Sequence, residues 1–216
     1  MNIEILLSEI QRDGYNNHIF DIEKVQKYGN DTERAELARL LCQYNNKHAQ
    51  KILLSLVCDK DSYVRVEAAD SLSSFSSSEI YFFLKKQGYE TNTLVRGYKQ
   101  FALASNVPME SESECVELLE KTLQNEKKTF VKIMALQGLC LLGKQPAAIR
   151  LLKMYPHCNY QNRCAILNGI ADLIGLGVNF NKTIIYDLYD QAKNETLPAV
   201  MSAFNHFCEK SKTFLH

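Results

Sequence analysis

The stretch Asp59–Leu72, with the sequence DKDSYVRVEAADSL, decides the fold. It opens with acidic and hydroxyl residues, which suit the N-terminus of a helix because they can accept hydrogen bonds from the free N–H groups of the first turn. Val64, Ala68 and Leu72 then follow at the spacing of one helix face. The stretch is therefore predicted to be an amphipathic helix, with one basic residue, Arg65, beside its apolar face.

Versions of this stretch recur along the chain. A basic residue with an apolar one seven positions later occurs at spacings of 31, 31, 36 and 31 residues. These basic residues are Arg34, Arg65, Arg96, Lys132 and Arg163. A period of roughly 20–50 residues that holds one pair of helices is typical of a solenoid. We therefore predict repeats in which a first helix carries the base and a second helix follows it.

The predicted helices alternate along the chain. First helices are predicted over residues 31–44, 61–74, 92–105, 127–142 and 159–174. Second helices are predicted over 47–58, 79–87, 114–124, 146–154 and 182–192. The ends lack the full pattern, so residues 1–28 are expected to be an N-terminal capping pair and residues 195–216 a C-terminal capping helix.

Length and composition agree with this architecture. The chain has 216 residues, of which 46% are apolar, and only 9 glycines and 4 prolines, which suits helices better than a β-rich or disordered chain. A solenoid has one continuous core, so residues 1–216 are predicted to form a single domain. The expected fold is all-α, with about six to seven antiparallel helix pairs.

The charge balance and the cysteines limit the classes of function. Lys plus Arg equals Asp plus Glu at 25 each, so nucleic acid is not an expected partner. Seven cysteines without a CxxC motif suit a reducing compartment. The first ten residues are too acidic for a secretory signal, and no apolar run approaches the roughly 18 residues of a membrane helix. We therefore expect a cytoplasmic protein without a membrane segment.

An acidic residue stands six positions before the base in three repeats. The pairs are Asp59 with Arg65, Glu90 with Arg96, and Glu126 with Lys132. This spacing, together with a pair of short helices about every 31 residues, resembles HEAT repeats. The quoted stretch is most similar to the short HEAT-like repeats first noted in phycobilin lyases. The resemblance covers roughly residues 28–175.

The resemblance implies a right-handed superhelix of stacked helix pairs. It also implies that the acid and the base bond between neighbouring repeats as an ion-pair ladder. The six residues of the three pairs are then structural rather than ligand-binding. Tyr28 and His157 stand where the other two repeats would have the acid, so the ladder is expected to be broken at two places.

The resemblance also indicates where a partner would bind, because the second helices of HEAT-like solenoids commonly line the concave face. Exposed residues of these helices are the candidate binding surface. They are His48, Lys51, Tyr81, Phe82, Lys85, Glu117, Lys121, Arg150 and Tyr186. Aromatic and Arg side chains are favoured at protein interfaces. The alternative is an ordinary solvated helix face, with its aromatic rings half-buried against the next repeat.

Other site chemistry has little support in the sequence. His157, Cys158, Cys164, His206 and Cys208 do not have the spacing of zinc ligands. No nucleophile motif, phosphate-binding glycine loop or HExxH motif occurs. We therefore expect no metal, no cofactor and no catalytic residues.

The expected function is non-enzymatic protein binding through the concave face. The chain would act as an adaptor or as a neutralising, immunity-type partner of the kind found among small bacterial HEAT-like proteins. A monomer is expected, with a homodimer as the alternative. The competing function is a HEAT-like nucleic-acid-processing protein or a lyase-like enzyme that uses the same groove. Excision of alkylated bases would need a basic face, and the lack of tryptophan and of net charge counts against it.

Overall fold

The computed structural model describes residues 3–215, except for the side chains of Leu7 and Leu215. Over this range the chain forms helices and connecting turns without any strand, which confirms the expected all-α class. The helices are α1 (Ile3–Asp13), α2 (Ile19–Tyr28), α3 (Asp31–Leu41), α4 (Lys47–Leu56), α5 (Ser62–Ser71), α6 (Ser78–Lys85), α7 (Thr93–Ser105), α8 (Glu112–Asn125), α9 (Thr129–Leu141), α10 (Gln145–Met154), α11 (Tyr160–Gly175), α12 (Lys182–Ala192), α13 (Pro198–Lys210) and α14 (Lys212–Leu215). Residues 1, 2 and 216 of the predicted capping segments lie outside the described residues.

The predicted repeat helices are all present, and their ends differ from the predicted ones by three residues at most. The first helices are α3, α5, α7, α9 and α11, and the second helices are α4, α6, α8, α10 and α12. Short 3₁₀ turns at Met109–Ser111 and Tyr155–His157 lie outside the predicted helices, and another at Tyr15–His18 lies within the predicted N-terminal capping pair. The prediction of a single C-terminal capping helix over 195–216 is wrong, because the described residues form two helices, α13 and α14, that are interrupted at Ser211. Side-chain acceptors explain the accurate helix starts. For example, the Asp61 carboxylate accepts from the backbone N–H groups of Tyr63 and Val64 at 2.8 and 3.3 Å.

The chain divides into two compact units, Met1–Pro108 and Met109–His216. In the first unit α3 packs on α5 and α5 on α7, while α2, α4 and α6 follow one another in a second row. In the second unit α9 packs on α11 and α11 on α13, while α10 packs on α12. First helices thus pack on first helices and second helices on second helices. A single domain over residues 1–216 stays a prediction.

Small and branched side chains let the first helices approach one another. On α5 and at its end, Val64, Ala68, Ala69 and Leu72 are fully buried. Burial of a Val or Leu side chain contributes about 1.5–3 kcal/mol, and the two alanines leave room for the neighbouring helix backbone. The apolar face predicted for the Asp59–Leu72 stretch is therefore a core face.

Two ion pairs join successive repeats in the first unit. Arg34 donates to the Asp59 carboxylate at 2.8 and 3.0 Å, and Arg65 donates to the Glu90 carboxylate at 2.9 and 3.2 Å. Each acid lies 25 residues after its arginine. Arg65 also donates to the backbone carbonyl oxygens of Asp59 and Lys60. The base of one repeat is thereby bonded to the acid that begins the next first-helix segment.

These ion pairs change the proton affinity of both acids. Burial alone would raise the pKa of Asp59, but the hydrogen bond from Arg34, the N–H of Asp61 and the Arg34 charge together lower it. Burial would likewise raise the pKa of Glu90, and the bonds from Arg65 and from the N–H of Asn92 lower it. Both acids therefore bind protons less readily in the folded chain than in the unfolded chain.

The second unit continues the ladder in a different form. Arg163 lies 3.2 Å from the Glu195 carboxylate, which also accepts from the Tyr155 hydroxyl at 3.0 Å. Glu195 was not singled out in the sequence because α13 has no base at the matching position, where Met201 stands. Its place six residues before Met201 is the signal that could have found it.

We predict that Arg65→Ala lowers the free energy of unfolding by about 1.5–3 kcal/mol, because Glu90 loses a charge-assisted bond in a part-buried setting. Thermal and urea unfolding at neutral pH measure the loss. Arg39→Ala is the matched control, since Arg39 also bonds an acid of the next first helix, Glu67, but its side chain is 52% exposed. The control should lose about 0–1 kcal/mol.

The pH dependence of stability gives a second test of Arg65→Ala. The stabilisation from a lowered pKa is fully present above the unfolded-state pKa of the acid, here the ordinary value of 4.5 for Glu90, and is lost as pH falls through the folded-state value. The stability gap between wild type and Arg65→Ala should therefore narrow when the pH is lowered from 7 to 3. Unchanged thermal stability of Arg65→Ala at neutral pH would contradict the structural role.

Helices α9 and α11 approach each other closely at Gly169. The Gln137 side chain is buried against it, and its Nε2 donates to the carbonyl oxygen of Ala165 at 2.8 Å. A Cβ atom on Gly169 would overlap the amide group of Gln137. Only glycine therefore lets these two first helices pack at this distance while the Gln137 bond is kept.

We predict that Gly169→Ala destabilises the chain by about 1–3 kcal/mol, because either the helices separate or the Gln137 bond breaks. Chemical denaturation measures the loss. Gly175→Ala is the control, since a Cβ atom there meets no atom within 4 Å and the substitution is expected to be neutral or slightly stabilising. Equal stability of the two variants would show that the close approach is unimportant.

Candidate interaction surface

The first-unit part of the candidate surface lies on α4 and α6. His48 on α4 is half-buried, since its Nδ1 lies 2.7 Å from the Tyr15 hydroxyl and its Nε2 lies 3.0 Å from the Glu23 carboxylate. Lys51, one turn further on, is exposed. His48 therefore joins α4 to the preceding helix pair, and Lys51 is the more available of the two for a partner.

Helix α6 differs from the sequence expectation at Tyr81. The expectation that Tyr81 is exposed is wrong, because its side chain is fully buried. Helix α6 has only eight residues and packs both on α4 and on α7, so two faces of it are covered and Ile80 and Tyr81 are buried side by side. Phe82 is 40% exposed, with its ring edge-on to Tyr81 at 5.3 Å.

Polar contacts hold these second helices in register. Gln50 on α4 donates to the Glu79 carboxylate on α6 at 2.8 Å. Lys85 is exposed, with its Nζ 5.9 Å from the centroid of the buried Tyr81 ring. We call Lys51, Phe82 and Lys85 the first-unit surface. It combines one aromatic ring with two positive charges on helices that are fixed by their neighbours.

The second-unit part lies on α8, α10 and α12. Glu117 and Lys121 are exposed one turn apart on α8. Arg150 on α10 bonds to the Glu120 carboxylate on α8 at 3.0 and 3.1 Å, with both side chains more than 40% exposed. Tyr186 on α12 is 43% exposed. We call Glu117, Lys121, Arg150 and Tyr186 the second-unit surface.

Sequence patterns missed two further exposed apolar side chains on second-row helices. Phe20 on α2 is 77% exposed, and Ile149 on α10 is 44% exposed beside Arg150. Both lie next to the apolar positions that form the buried faces of their helices, so periodicity alone does not separate them from core residues. Their large exposed fractions add apolar area to the second row of each unit.

Four of the seven thiols are not prepared for nucleophilic chemistry. Burial raises the pKa of Cys115 to about 11 and that of Cys140 to about 12, and it also raises the pKa of Cys158 and Cys164. A nucleophilic cysteine needs the opposite shift, because the thiolate is the reactive form. These four side chains are therefore packing groups at neutral pH.

Neither a cluster of metal ligands nor a membrane-spanning helix occurs within residues 3–215. No three His, Cys, Asp or Glu side chains in this range are grouped as metal ligands would be. His206, one of the residues considered as a zinc ligand, lies 3.1 Å from the Asp172 carboxylate. In the same part of the chain, no helix is both long and apolar enough to cross a membrane.

The sequence matches no protein-family model and no curated protein. Solved structures do match. A chain from the complex of CpcE and CpcF of phycocyanin lyase from Nostoc sp. PCC7120 has a TM-score of 0.53 at 14% identity, over 97% of this chain and 95% of that chain. A designed armadillo repeat protein has a TM-score of 0.40 at 14% identity, over 88% of this chain and 98% of that chain.

The likeness to the phycocyanin lyase chain shows the fold. Together with the repeated helix pairs, it shows that this chain has a HEAT-like helical repeat fold. The resemblance seen in the Asp59–Leu72 stretch is thereby confirmed at the level of the fold. At 14% identity the likeness carries no activity from that complex to this chain.

We predict opposite consequences for two adjacent aromatic residues of α6. Tyr81→Ala should cost about 3–5 kcal/mol of unfolding free energy because it leaves a cavity in the core. Phe82→Ala should cost about 1 kcal/mol because much of its ring is already in water. Urea denaturation of the two variants measures the difference. Equal losses would mean that Phe82 is a core residue and is not available to a partner.

Proposed function

We propose that this chain is a non-enzymatic protein-binding module that uses its second helices as the contact surface. The observation that carries the proposal is the presence of exposed aromatic side chains on second helices, which the bonds between repeats do not use. The repeated charges of Arg34 and Arg65 are used in bonds between repeats, whereas Phe82 and Tyr186 on second helices are aromatic and are 40% and 43% exposed. Aromatic side chains in such positions are typical anchors of protein interfaces.

The fold suits this role physically. Helices α4, α6, α8 and α10 pack against first helices and α12 packs on α10, so their exposed residues are held in place before a partner arrives. A preformed surface loses little conformational entropy on binding. We propose that the chain acts as a cytoplasmic monomer, as an adaptor or as a neutralising partner of another protein. An immunity-type role against a toxin is one form of the latter.

We predict that a partner protein is captured from a lysate of the native host by the immobilised full chain and identified by mass spectrometry. Phe82→Ala with Tyr186→Ala should reduce the captured amount at least tenfold, because anchor residues dominate the binding free energy. Tyr63→Ala with Tyr160→Ala is the matched control, since these tyrosines are 44% and 48% exposed but lie on first helices. The control should capture as the wild type does.

Two outcomes would overturn the proposal. One is an equal reduction, or no reduction, of the captured partner in both double variants. This result would show that the second helices are not the interface. The other is tight binding of duplex or single-stranded DNA that falls steeply as salt is raised, which would favour the nucleic-acid-processing alternative.

A further inference from the structure

A basic cavity lies in the second unit between α8, α9 and α10. Its volume is about 420 Å³. Four of its lining residues are basic, namely Lys127, Lys132, Arg150 and Lys153, and none of its lining residues within the described chain is acidic. Glu120 pairs with Arg150 from outside the cavity and offsets one of the four charges. The cavity therefore has an excess of positive charge.

Lys132 has this environment because the ladder is broken at its repeat. Arg34 and Arg65 each bond to a carboxylate 25 residues later in the chain. The residue 25 positions after Lys132 is His157, which is not an acid. Lys132 forms no ion pair with any side chain among residues 3–215. The base pairs with a carboxylate in the first-unit repeats, but at Lys132 it has no such partner and faces a cavity.

The hollow beside Arg34 shows the contrast. It is lined by Arg34 and Lys60, but also by Asp31 and Asp61, so its charges are balanced. Arg34 is further occupied by Asp59. The base of the repeat therefore borders a charge-balanced hollow in the first unit and a cationic cavity in the second unit.

The cavity also has an apolar part. Leu123, Leu136 and Met154 line it, with the two leucines buried and Met154 half-buried. A free inorganic anion would gain nothing from these side chains, whereas a peptide can place a carboxylate on the lysines and an apolar side chain on Met154. Arg150 belongs both to this cavity and to the second-unit surface, so the cavity is continuous with the surface already described.

We propose that this cavity binds an acidic segment of a partner protein, with one carboxylate on Lys132 in place of the missing ladder acid and an apolar side chain on Met154. The proposal rests on the protein-binding function, since it names the chemistry of the partner at the second-unit surface. Charge complementarity sets the occupant, and the apolar floor selects a peptide over phosphate or the sugar-phosphate chain of a nucleic acid.

The test uses the full chain and a fluorescein-labelled, N-acetylated peptide in which one leucine is flanked on each side by three aspartates. We expect saturable binding in the micromolar range by fluorescence anisotropy, weakening as salt is raised. Lys132→Gln should weaken binding about tenfold, since a charge-assisted bond is lost. Lys128→Gln is the matched control, because it removes the same charge four residues away without lining the cavity, and it should bind nearly as the wild type does.

A gain-of-pair variant tests the ladder argument independently of folding defects. His157→Asp places an acid 25 residues after Lys132, as in the first unit. We expect a higher midpoint of thermal unfolding and a several-fold loss of peptide affinity, because the new carboxylate competes for Lys132. Unchanged affinity in both Lys132→Gln and His157→Asp would overturn the proposal, as would displacement of the peptide by equimolar inorganic phosphate or by an oligothymidylate.

The outcome is separable from that of the proposed function. If the captured partner is lost with Phe82→Ala and Tyr186→Ala but is unaffected by Lys132→Gln, protein binding stands and the acidic-segment inference fails. If the peptide binds as described but no host protein depends on the second helices, the cavity stands and the proposed function fails.

Discussion

The bond between the arginine of one repeat and the carboxylate of the next is the interaction on which the described arrangement depends. Apolar burial supplies most of the free energy of stacking, but it has no direction, and helices with similar faces could slide along one another. Arg34 with Asp59 and Arg65 with Glu90 remove that freedom, because a guanidinium and a carboxylate bond in one geometry. Arg65 also fixes the backbone carbonyls of the loop that enters its own helix.

The periodic part of the fold could be predicted from the sequence because each repeat must solve the same packing problem. The small residues of the Asp59–Leu72 stretch, its capping Asp61 and its single base recur for that reason, and the helices lie where the period puts them. Tyr81 could not be placed in this way. Helix α6 is short and is covered on two sides. The burial of Tyr81 therefore depends on the packing of α6 against α4 and α7 and not on the local sequence pattern.

In the second unit, the ion pair between Arg163 and Glu195 could not be predicted from the repeat motif. Glu195 forms an ion pair with Arg163, as an acid of the next repeat should, yet the helix that follows it has no base and so does not display the motif. The candidate surface was predictable only as a set of helices. Which of its residues are available depends on contacts such as those of His48 with Tyr15 and Glu23, and no local pattern encodes them.

The residues that recur in each repeat have a structural explanation. We therefore assign function to residues that do not recur. A double-mutant cycle on Arg65 and Glu90, with alanine at each position and at both, measures this claim most directly through the free energy of unfolding. We predict a coupling energy of about 1 kcal/mol or more between the two side chains. A coupling energy indistinguishable from zero would show that the pair does not join the repeats, and would contradict the account.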